Sequence, residues 1–301
     1  MLKFIHASDF HLDSAFGALS EERARQRRQE CRQLIGRLVD YANDHGADLM
    51  LLCGDLFDGE RVYAQTTEEL AAALGRFHGG VIIAPGNHDP YTHRSPYAKG
   101  VWPENVHIFT QNTIERLEFP QYGCTVYGAA FTAAEMAEPE DFAAQGDGVH
   151  LLAIHGEVGR EGSRYRSLTP AWLERSGVDY AALGHVHEHR GVQRIGKTAY
   201  AYPGCPEGRG FDELGAMLAL PEEHFAVLAP VFLSELERGM RNVNDQMIMV
   251  QSMNMLGMKA ENVREQYEAI YKEIDEQMGD VLSHQKRDFL KQMLGMTYNA
   301  L

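Results

Sequence analysis

Short apolar runs alternate with longer amphipathic stretches over residues 1–215. The amphipathic stretches predict helices at about residues 20–43, 65–77 and 168–176. Strands that alternate with helical segments of this length are typical of an α/β fold, in which a sheet packs between helices. The runs with the length and composition of strands are LKFIHAS, DLMLLC, GGVIIAP, VHLLAIH, VDYAALG, GVQRI and TAYAY.

The pattern changes beyond Gly215. Nine of the 13 methionines but only four of the 29 glycines lie in the last 81 residues. Apolar residues recur at three- and four-residue spacing from Val263 to Val281, which predicts an amphipathic helix, and a second helix is predicted over residues 231–255. We therefore predict an α/β domain over residues 1–215 and a helical C-terminal segment over residues 216–301. Because this segment has an apolar stripe, one hypothesis is that it drives formation of a homodimer.

Composition narrows the class of protein. The chain is 44% hydrophobic and 24% charged, which is ordinary for a globular protein. The four cysteines are scattered without a CxxC pair, the N-terminus has no signal-peptide pattern, and no apolar run approaches the length of a membrane span. We expect a cytoplasmic protein without membrane contact. The net charge of −15 argues against electrostatic coating of nucleic acid but leaves a metal-dependent nuclease open, because bound cations offset acidic ligands.

Polar motifs follow five of the predicted strands. Ligands bind at the carboxyl ends of strands in open α/β sheets, so these motifs are expected to converge. Their carboxylate, amide and imidazole groups suit borderline divalent metals such as Mn²⁺, Fe²⁺ or Zn²⁺. Two such ions would clamp a phosphate group and activate a water, which indicates a hydrolase. The motifs are Asp9-x-His11, Gly54-Asp55-x-x-Asp58, Gly86-Asn87-His88-Asp89, His155-Gly156 and Gly184-His185-x-His187.

Each motif by itself is weak evidence for a metal site, since a loop histidine is usually a surface or packed residue and Gly-Asp pairs are common in turns. The occurrence of all five at strand ends is what favours a metal site. Asp55 has two oxygens and can bridge two cations. His88 follows a candidate ligand and could protonate a leaving group or hold a phosphate.

Together the five motifs resemble those of the calcineurin-like metallophosphoesterase superfamily. The segments FIHASDFHLD, DYAALGHVH and YPGCPEGRGFDE are similar to the bacterial SbcD-type DNA repair exonucleases, in particular to the YhaO-like branch. The resemblance covers about residues 1–214. It implies a four-layer β-sandwich flanked by helices.

The resemblance also implies a set of site residues. One metal would be held by Asp9, His11, Asp55 and His187, and a second by Asp55, Asn87, His155 and His185. His88 would be the catalytic histidine and Asp89 its orienting partner, whereas Asp58 would support the turn. Nucleases of this family typically use Mn²⁺ and pair with an SbcC-like coiled-coil ATPase, so the implied partners are DNA and such an ATPase.

Several arginines and one further histidine allow two interpretations. The cluster Arg23, Arg25, Arg27, Arg28 and Arg32 favours a salt-bridged helix surface over contact with a phosphate backbone. Arg160, Arg164 and Arg166 follow His155, and whether they touch substrate is open. His189 extends the alternation of His185 and His187 but is expected to be an exposed strand-end residue.

The sequence is compatible with three functions. The leading one is a dimetal phosphodiesterase that cuts DNA as an exonuclease or endonuclease in DNA repair. The alternatives are a phosphoesterase for nucleotides or phosphomonoesters and a non-catalytic scaffold for an ATPase partner. The similarity stops near Gly215, and the tail does not resemble the expected capping domain. A natural variant, a replaced cap and a frameshift are all open explanations.

Overall fold

A computed structural model of the chain describes residues 2–17, 20–160, 162–189 and 191–206. In its first half, strands and helices alternate as the pattern predicts, and the strands form one parallel sheet in the order β1-β2-β3-β4. The elements are β1 (Phe4–Ala7), α1 (Glu21–Asp44), β2 (Leu49–Leu52), α2 (Ala64–Gly75), β3 (Gly80–Ile83), α3 (Pro96–Lys99) and β4 (Val106–Ile108).

A second, six-stranded sheet follows, with the order β11-β12-β10-β7-β6-β5. Its four central strands are parallel, and β5 and β11 are antiparallel at the edges. The short strands β8 and β9 form a separate parallel pair. The elements are β5 (Glu115–Phe119), a 3-10 turn (Pro120–Tyr122), β6 (Cys124–Ala129), β7 (Val149–His155), β8 (Glu157–Val158), β9 (Ser167–Leu168), α4 (Pro170–Ser176), β10 (Tyr180–Gly184), β11 (Gln193–Ile195) and β12 (Thr198–Ala201).

The two large sheets pack face to face through alternate residues of their central strands. Leu49 and Leu51 of β2 share one buried cluster with Leu151 and Ala153 of β7. Because side chains alternate between the two faces of a strand, this register places every second residue of each strand in the space between the sheets. Burial of a leucine side chain contributes about 1.5–3 kcal/mol, so this inter-sheet layer is a major source of stability.

Helices cover the outer faces of both sheets. Leu152 and Ile154 of β7 point away from the inter-sheet layer and pack with Trp172 and Leu173, which lie on α4. On the first sheet, α1 and α2 each connect neighbouring parallel strands, and right-handed crossovers place both on one face, where they contact each other. The layers are therefore helices, sheet, sheet and helix. The predicted α/β sandwich flanked by helices is confirmed.

A partly buried histidine joins the two sheets near the carboxyl ends of their strands. The Nε2 of His6 on β1 lies 3.0 Å from the carbonyl oxygen of Leu183, and its Nδ1 lies 3.0 Å from the hydroxyl of Tyr180. Burial lowers the pKa of His6 to about 4, so its ring is neutral at pH 7. Since a carbonyl can only accept, Nε2 carries the proton and Nδ1 accepts from the tyrosine. β1 and β10 are thus held together across the sheets.

Some elements were not predicted, and others lie outside the described residues. The apolar pattern did not reveal β4, β5 or β6, whose burial depends on neighbouring strands, and it also missed the short elements α3, β8 and β9. The predicted helical segment at residues 216–301 lies outside the described part of the chain. Residues Met1–Pro206 form one compact unit, and the domain boundary near residue 215 stays a prediction.

Among the described residues, no helix has the length and hydrophobicity needed to cross a membrane.

Replacing Tyr180 with Phe tests the link between the sheets. The substitution removes the hydroxyl that donates to His6 and leaves a partly buried nitrogen without this donor, so we expect a loss of about 1–2 kcal/mol in the free energy of unfolding. Equilibrium denaturation measures this. Tyr122→Phe is the matched control, because Tyr122 packs against the same core cluster as Tyr180 and its hydroxyl has no hydrogen bond to another described residue. Equal losses in the two variants would contradict the link.

Candidate metal centre

The five motifs meet at one end of the sandwich because the strands that precede them are parallel. β1, β2 and β3 of the first sheet and β7 and β10 of the second all end at this edge. The loops after β1 and β2 stay paired beyond the strands, since the backbone amide of Asp9 donates to the carbonyl of Gly54 (3.0 Å) and that of His11 to the carbonyl of Asp55 (2.9 Å). These hydrogen bonds place the first two motifs side by side.

Asp9, His11 and His187 form a first group of potential ligands, whose atoms lie within 4.8 Å of one another. The Nε2 atoms of His11 and His187 are 3.2 Å apart, and His187 Nε2 lies 3.5 Å from Asp9 Oδ1. Two imidazole nitrogens and a carboxylate that point at one position suit a shared divalent cation. The structure therefore brings together three of the four residues implied for the first metal, and Asp55 lies beside them.

Asp55, His155 and His185 form a second group, whose potential ligand atoms also lie within 4.8 Å of one another. The amide oxygen of Asn87 lies between the two histidines, 3.0 Å from His155 Nε2 and 3.0 Å from His185 Nδ1. The opposite nitrogen of His155, Nδ1, donates to the carbonyl of Cys53 at 2.8 Å. In a neutral ring this leaves the lone pair of Nε2 directed into the group, as metal binding requires.

Asp55 lies between the two groups. Its Oδ2 is 3.4 Å from His155 Nε2 and 3.8 Å from His11 Nε2, and its Oδ1 accepts a hydrogen bond of 3.0 Å from the amide of His88. Burial opposes ionisation, but the neighbouring imidazoles of His155 and His11 hold the pKa of Asp55 below its usual range. Conversely, burial opposes protonation of His155, and the carboxylates of Asp55 and Asp9 raise its pKa to about 9. Asp55 is thus a charged group that both sets of ligands can share.

The donor set fits two divalent cations. Each group has carboxylate oxygen and imidazole nitrogen, the second adds an amide oxygen, and a mixed set of this kind suits Mn²⁺, Fe²⁺ or Zn²⁺ better than Ca²⁺ or Mg²⁺. The structure brings together all seven residues that the resemblance implied as ligands: Asp9, His11, Asp55, Asn87, His155, His185 and His187.

His88 lies next to both groups, and its side chain is 44% exposed. Its ring contacts the ring of His11 edge-on, with centroids 4.8 Å apart. Its Nδ1 is 3.9 Å from Asp58 Oδ1, which is also 3.1 Å from His11 Nδ1. Asp58 therefore lies beside both rings, and His88 can reach a molecule bound at the site.

Asp89 has a different position from the one that the resemblance implied. Its carboxylate is buried and accepts hydrogen bonds from the backbone amides of Asp55, Phe57 and Gly86 and from the hydroxyl of Tyr97. Asp58, rather than Asp89, is the carboxylate next to the His88 ring. The motif spacing could not separate these roles, because both aspartates follow a strand end and only the packing shows which way each points.

Glycines allow the motif loops to approach one another. A Cβ atom on Gly86 would lie 2.2 Å from Asp55 Oδ1, and one on Gly184 would lie 1.8 Å from the carbonyl oxygen of Cys53. Both distances are far below van der Waals contact. The glycines of the GNHD and GHxH motifs are therefore needed because neighbouring chain segments fill the space of a side chain.

The backbone is strained at the site. Among the described residues, seven other than glycine have a positive φ angle, and four of these are candidate ligands: Asp9 (57°), His11 (45°), Asp55 (51°) and His185 (103°). Such conformations cost about 1–3 kcal/mol each and persist only where the surrounding structure enforces them. Their concentration here is typical of a functional site.

Two of the five arginines in the cluster on α1 form ion pairs within the protein. Arg27 pairs with Glu30, and Arg32 pairs with Asp13 and Glu69. These contacts favour the salt-bridged interpretation for both residues.

The arginines after His155 also have partners. Arg160 pairs with Glu157 at 2.9 Å and Arg164 with Glu135 at 2.7 Å. Of these arginines, Arg166 is fully buried and so does not present its side chain to substrate.

Arg166 instead supports His155. Its guanidinium donates to the carbonyls of Ala129 (3.2 Å) and Ala130 (2.6 Å) and lies over the ring of Phe131, 4.5 Å from the centroid. The Phe131 ring in turn contacts the ring of His155 edge-on, with centroids 5.6 Å apart. No pattern in the amino-acid sequence indicates this role. His189 also points elsewhere, with its Nδ1 3.2 Å from the carbonyl oxygen of Tyr202.

The chain belongs to the calcineurin-like phosphoesterase family, which matches residues 2–189. This confirms the family indicated by the five motifs. The family is one of metal-dependent hydrolases that act on phosphoesters at a dimetal site, and the two ligand groups described above are where the chain could hold such metals.

The chain is similar to curated proteins that include the following two. The uncharacterized metallophosphoesterase YhaO of Bacillus subtilis is 32% identical over 228 residues, which are 71% of this chain and 55% of that protein. The DNA double-strand break repair protein Mre11 of Aeropyrum pernix is 25% identical over 235 residues, which are 71% of this chain and 56% of that protein. This chain therefore spans about half the length of these relatives. A solved structure, TT1561 of Thermus thermophilus, aligns with a TM-score of 0.44 and 13% identity over 68% of this chain and 90% of its own.

Substitution of Gly86 by Ala tests the close approach at the site. The added methyl group would displace the carboxylate of Asp55, which contacts both ligand groups, so we expect Mn²⁺ affinity to fall at least tenfold at both sites in isothermal titration calorimetry. Gly59→Ala is the control, because Gly59 lies in the loop that follows Asp55 and its Cβ would meet nothing within 4 Å. Unchanged affinity in Gly86→Ala would contradict the steric argument.

Removal of Arg166 tests the support of His155. Arg166→Ala would remove two hydrogen bonds to backbone carbonyls in the interior and open a cavity, so we expect a loss of about 2–4 kcal/mol in the free energy of unfolding. Arg164→Ala breaks only an exposed ion pair of the same loop and should cost less than about 1 kcal/mol. Thermal and urea denaturation measure both. If the two variants lost similar amounts of unfolding free energy, the buried contacts of Arg166 would not have the stabilising role described above.

Proposed function

We propose that this protein is a dimetal phosphodiesterase that cuts DNA, as an exonuclease or endonuclease, in DNA repair. The observation that carries the proposal is the position of Asp55 between two groups of metal ligands, with the half-exposed His88 beside it. This arrangement gives one phosphate group access to both ligand sets and to an imidazole that can transfer a proton.

The side chains of the two groups would hold two divalent cations. When bound, the cations would polarise the phosphoryl oxygens and lower the pKa of a water molecule. We propose Mn²⁺ as the native metal, with Fe²⁺ and Zn²⁺ as the alternatives that the same donors accept. Asp55 would fix the position of the two ligand sets relative to each other, since its carboxylate contacts a histidine of each set.

His88 would donate a proton to the leaving oxygen. Its amide is bonded to Asp55 Oδ1, which ties the position of its backbone to the shared carboxylate, while its ring is accessible. General acid catalysis by an imidazole contributes about 10²–10⁴ in rate.

DNA is the proposed substrate because of the curated relatives. One of them is named a DNA double-strand break repair protein. The net charge of −15 means that DNA would be attracted through the bound cations and local basic groups rather than through the whole surface. An SbcC-like coiled-coil ATPase as partner, homodimer formation and a cytoplasmic location belong to the same proposal.

The full-length chain, incubated with Mn²⁺ and linear double-stranded DNA, provides the test. We expect digestion by the wild type, none by Asp55→Ala, which loses the shared ligand, and a loss of about 10²–10⁴ in turnover for His88→Ala with metal binding retained. His93→Ala is the control, because His93 is an exposed histidine of the same loop. Digestion that persists unchanged in Asp55→Ala would refute the proposal.

Artificial substrates separate the alternatives. A proton donor matters more for a poor leaving group, so His88→Ala should slow DNA cleavage more than hydrolysis of bis(p-nitrophenyl) phosphate. Activity on p-nitrophenyl phosphate without activity on DNA would favour a phosphomonoesterase or nucleotide phosphoesterase. Fewer than one bound ion per chain after Mn²⁺ loading would favour the non-catalytic scaffold.

A further inference from the structure

A buried glutamate lies on the far side of His185 from the second ligand group. Glu157 on β8 is 8% exposed, and its Oε1 lies 3.5 Å from His185 Nε2. The other ring nitrogen of His185, Nδ1, faces the amide oxygen of Asn87 at 3.0 Å. The imidazole is thus placed between the ligand group and this carboxylate.

Glu157 is itself held in place. Its carboxylate accepts hydrogen bonds from the hydroxyl of Ser163 and from Arg160 Nη1, the latter at 2.9 Å, and its backbone amide donates to the carbonyl of Arg166 at 3.1 Å. Three residues of the following loop therefore hold Glu157 in position next to the site. None of the motifs that indicated the metal centre includes Glu157.

Two other candidate ligands show the same arrangement. His155 has the carbonyl of Cys53 at 2.8 Å from its Nδ1, and His11 has Asp58 at 3.1 Å from its Nδ1. In each ring one nitrogen faces the ligand group and the other faces an oxygen acceptor. Such acceptors fix the tautomer and orientation of a metal-binding imidazole and raise its basicity.

We propose that Glu157 is the positioning residue for His185, and that it keeps the proton of the ring on Nε2 so that the lone pair of Nδ1 is directed at the second metal. This inference rests on the proposed dimetal site. His185 needs such support because the amide oxygen near its Nδ1 would itself face the second metal, and its ring otherwise packs against the rings of His155 and Tyr165, at centroid distances of 5.2 and 5.1 Å, which do not fix a tautomer.

Calorimetric titration of the full-length, metal-free protein with Mn²⁺ tests this role. We expect two binding events in the wild type. In Glu157→Ala one of them should weaken about 10- to 100-fold, which is the usual effect of losing such an acceptor, while the other changes less than about threefold. Glu157→Gln retains an oxygen acceptor and should restore part of the affinity, which a merely structural role of the charge would not predict.

Glu135→Gln is the matched control. It removes the exposed ion pair with Arg164 on the same loop and should leave both binding events unchanged. Two binding events of wild-type strength in Glu157→Ala would overturn the proposal. If that variant fails to fold, Glu157→Leu, which keeps most of the side-chain volume but has no acceptor, replaces it, and wild-type affinity at both sites in Glu157→Leu would then overturn the proposal. A wild type that binds no Mn²⁺ would instead refute the proposed function, so the two failures are distinct.

Discussion

The carboxylate of Asp89 holds together the loops on which the site is built. It accepts hydrogen bonds from backbone amides of the loop after β2 and of the loop after β3, and a further one from Tyr97. Burial and the charge of Asp55 raise its pKa to about 7, so this carboxylate lies in an unfavourable position that its hydrogen bonds must offset. These hydrogen bonds fix the positions of Asp55 and Asn87 relative to each other, because they join the two loops that carry these residues.

This restraint makes the strained backbone of the site possible. The left-handed conformations of candidate ligands and the contacts that only glycine permits each cost free energy. They are tolerated because the loops rest on strands whose side chains fill the buried layer between the sheets. A rigid core therefore supports an edge that would not be stable by itself.

The second ligand group depends on both sheets. Asp55 and Asn87 come from the first sheet, whereas His155 and His185 come from the second. The site can form only when the sheets are packed in the correct register, and His6 links them immediately below it. Metal binding to such a site would stabilise the packing of the sheets in turn, since a ligand that binds only the folded state shifts the folding equilibrium.

The sequence by itself determined the chemistry of the site and the class of fold. The helices α1 and α2 and strands β1 to β3 occur where the apolar pattern predicts them, and motif residues at strand ends converge because parallel strands end at a common edge. The family and the convergence of the candidate ligands follow from such local signals, and the sandwich architecture follows from the resemblance to that family.

Only the tertiary structure decided which group faces which. Asp58 rather than Asp89 lies beside His88, Arg166 is buried behind Phe131, and Glu157 faces His185. Strands β4 to β6 likewise become visible only through their partners. Each of these facts depends on contacts between segments distant in the chain. A local pattern records whether a side chain is polar and where its strand ends, but not which neighbour it meets.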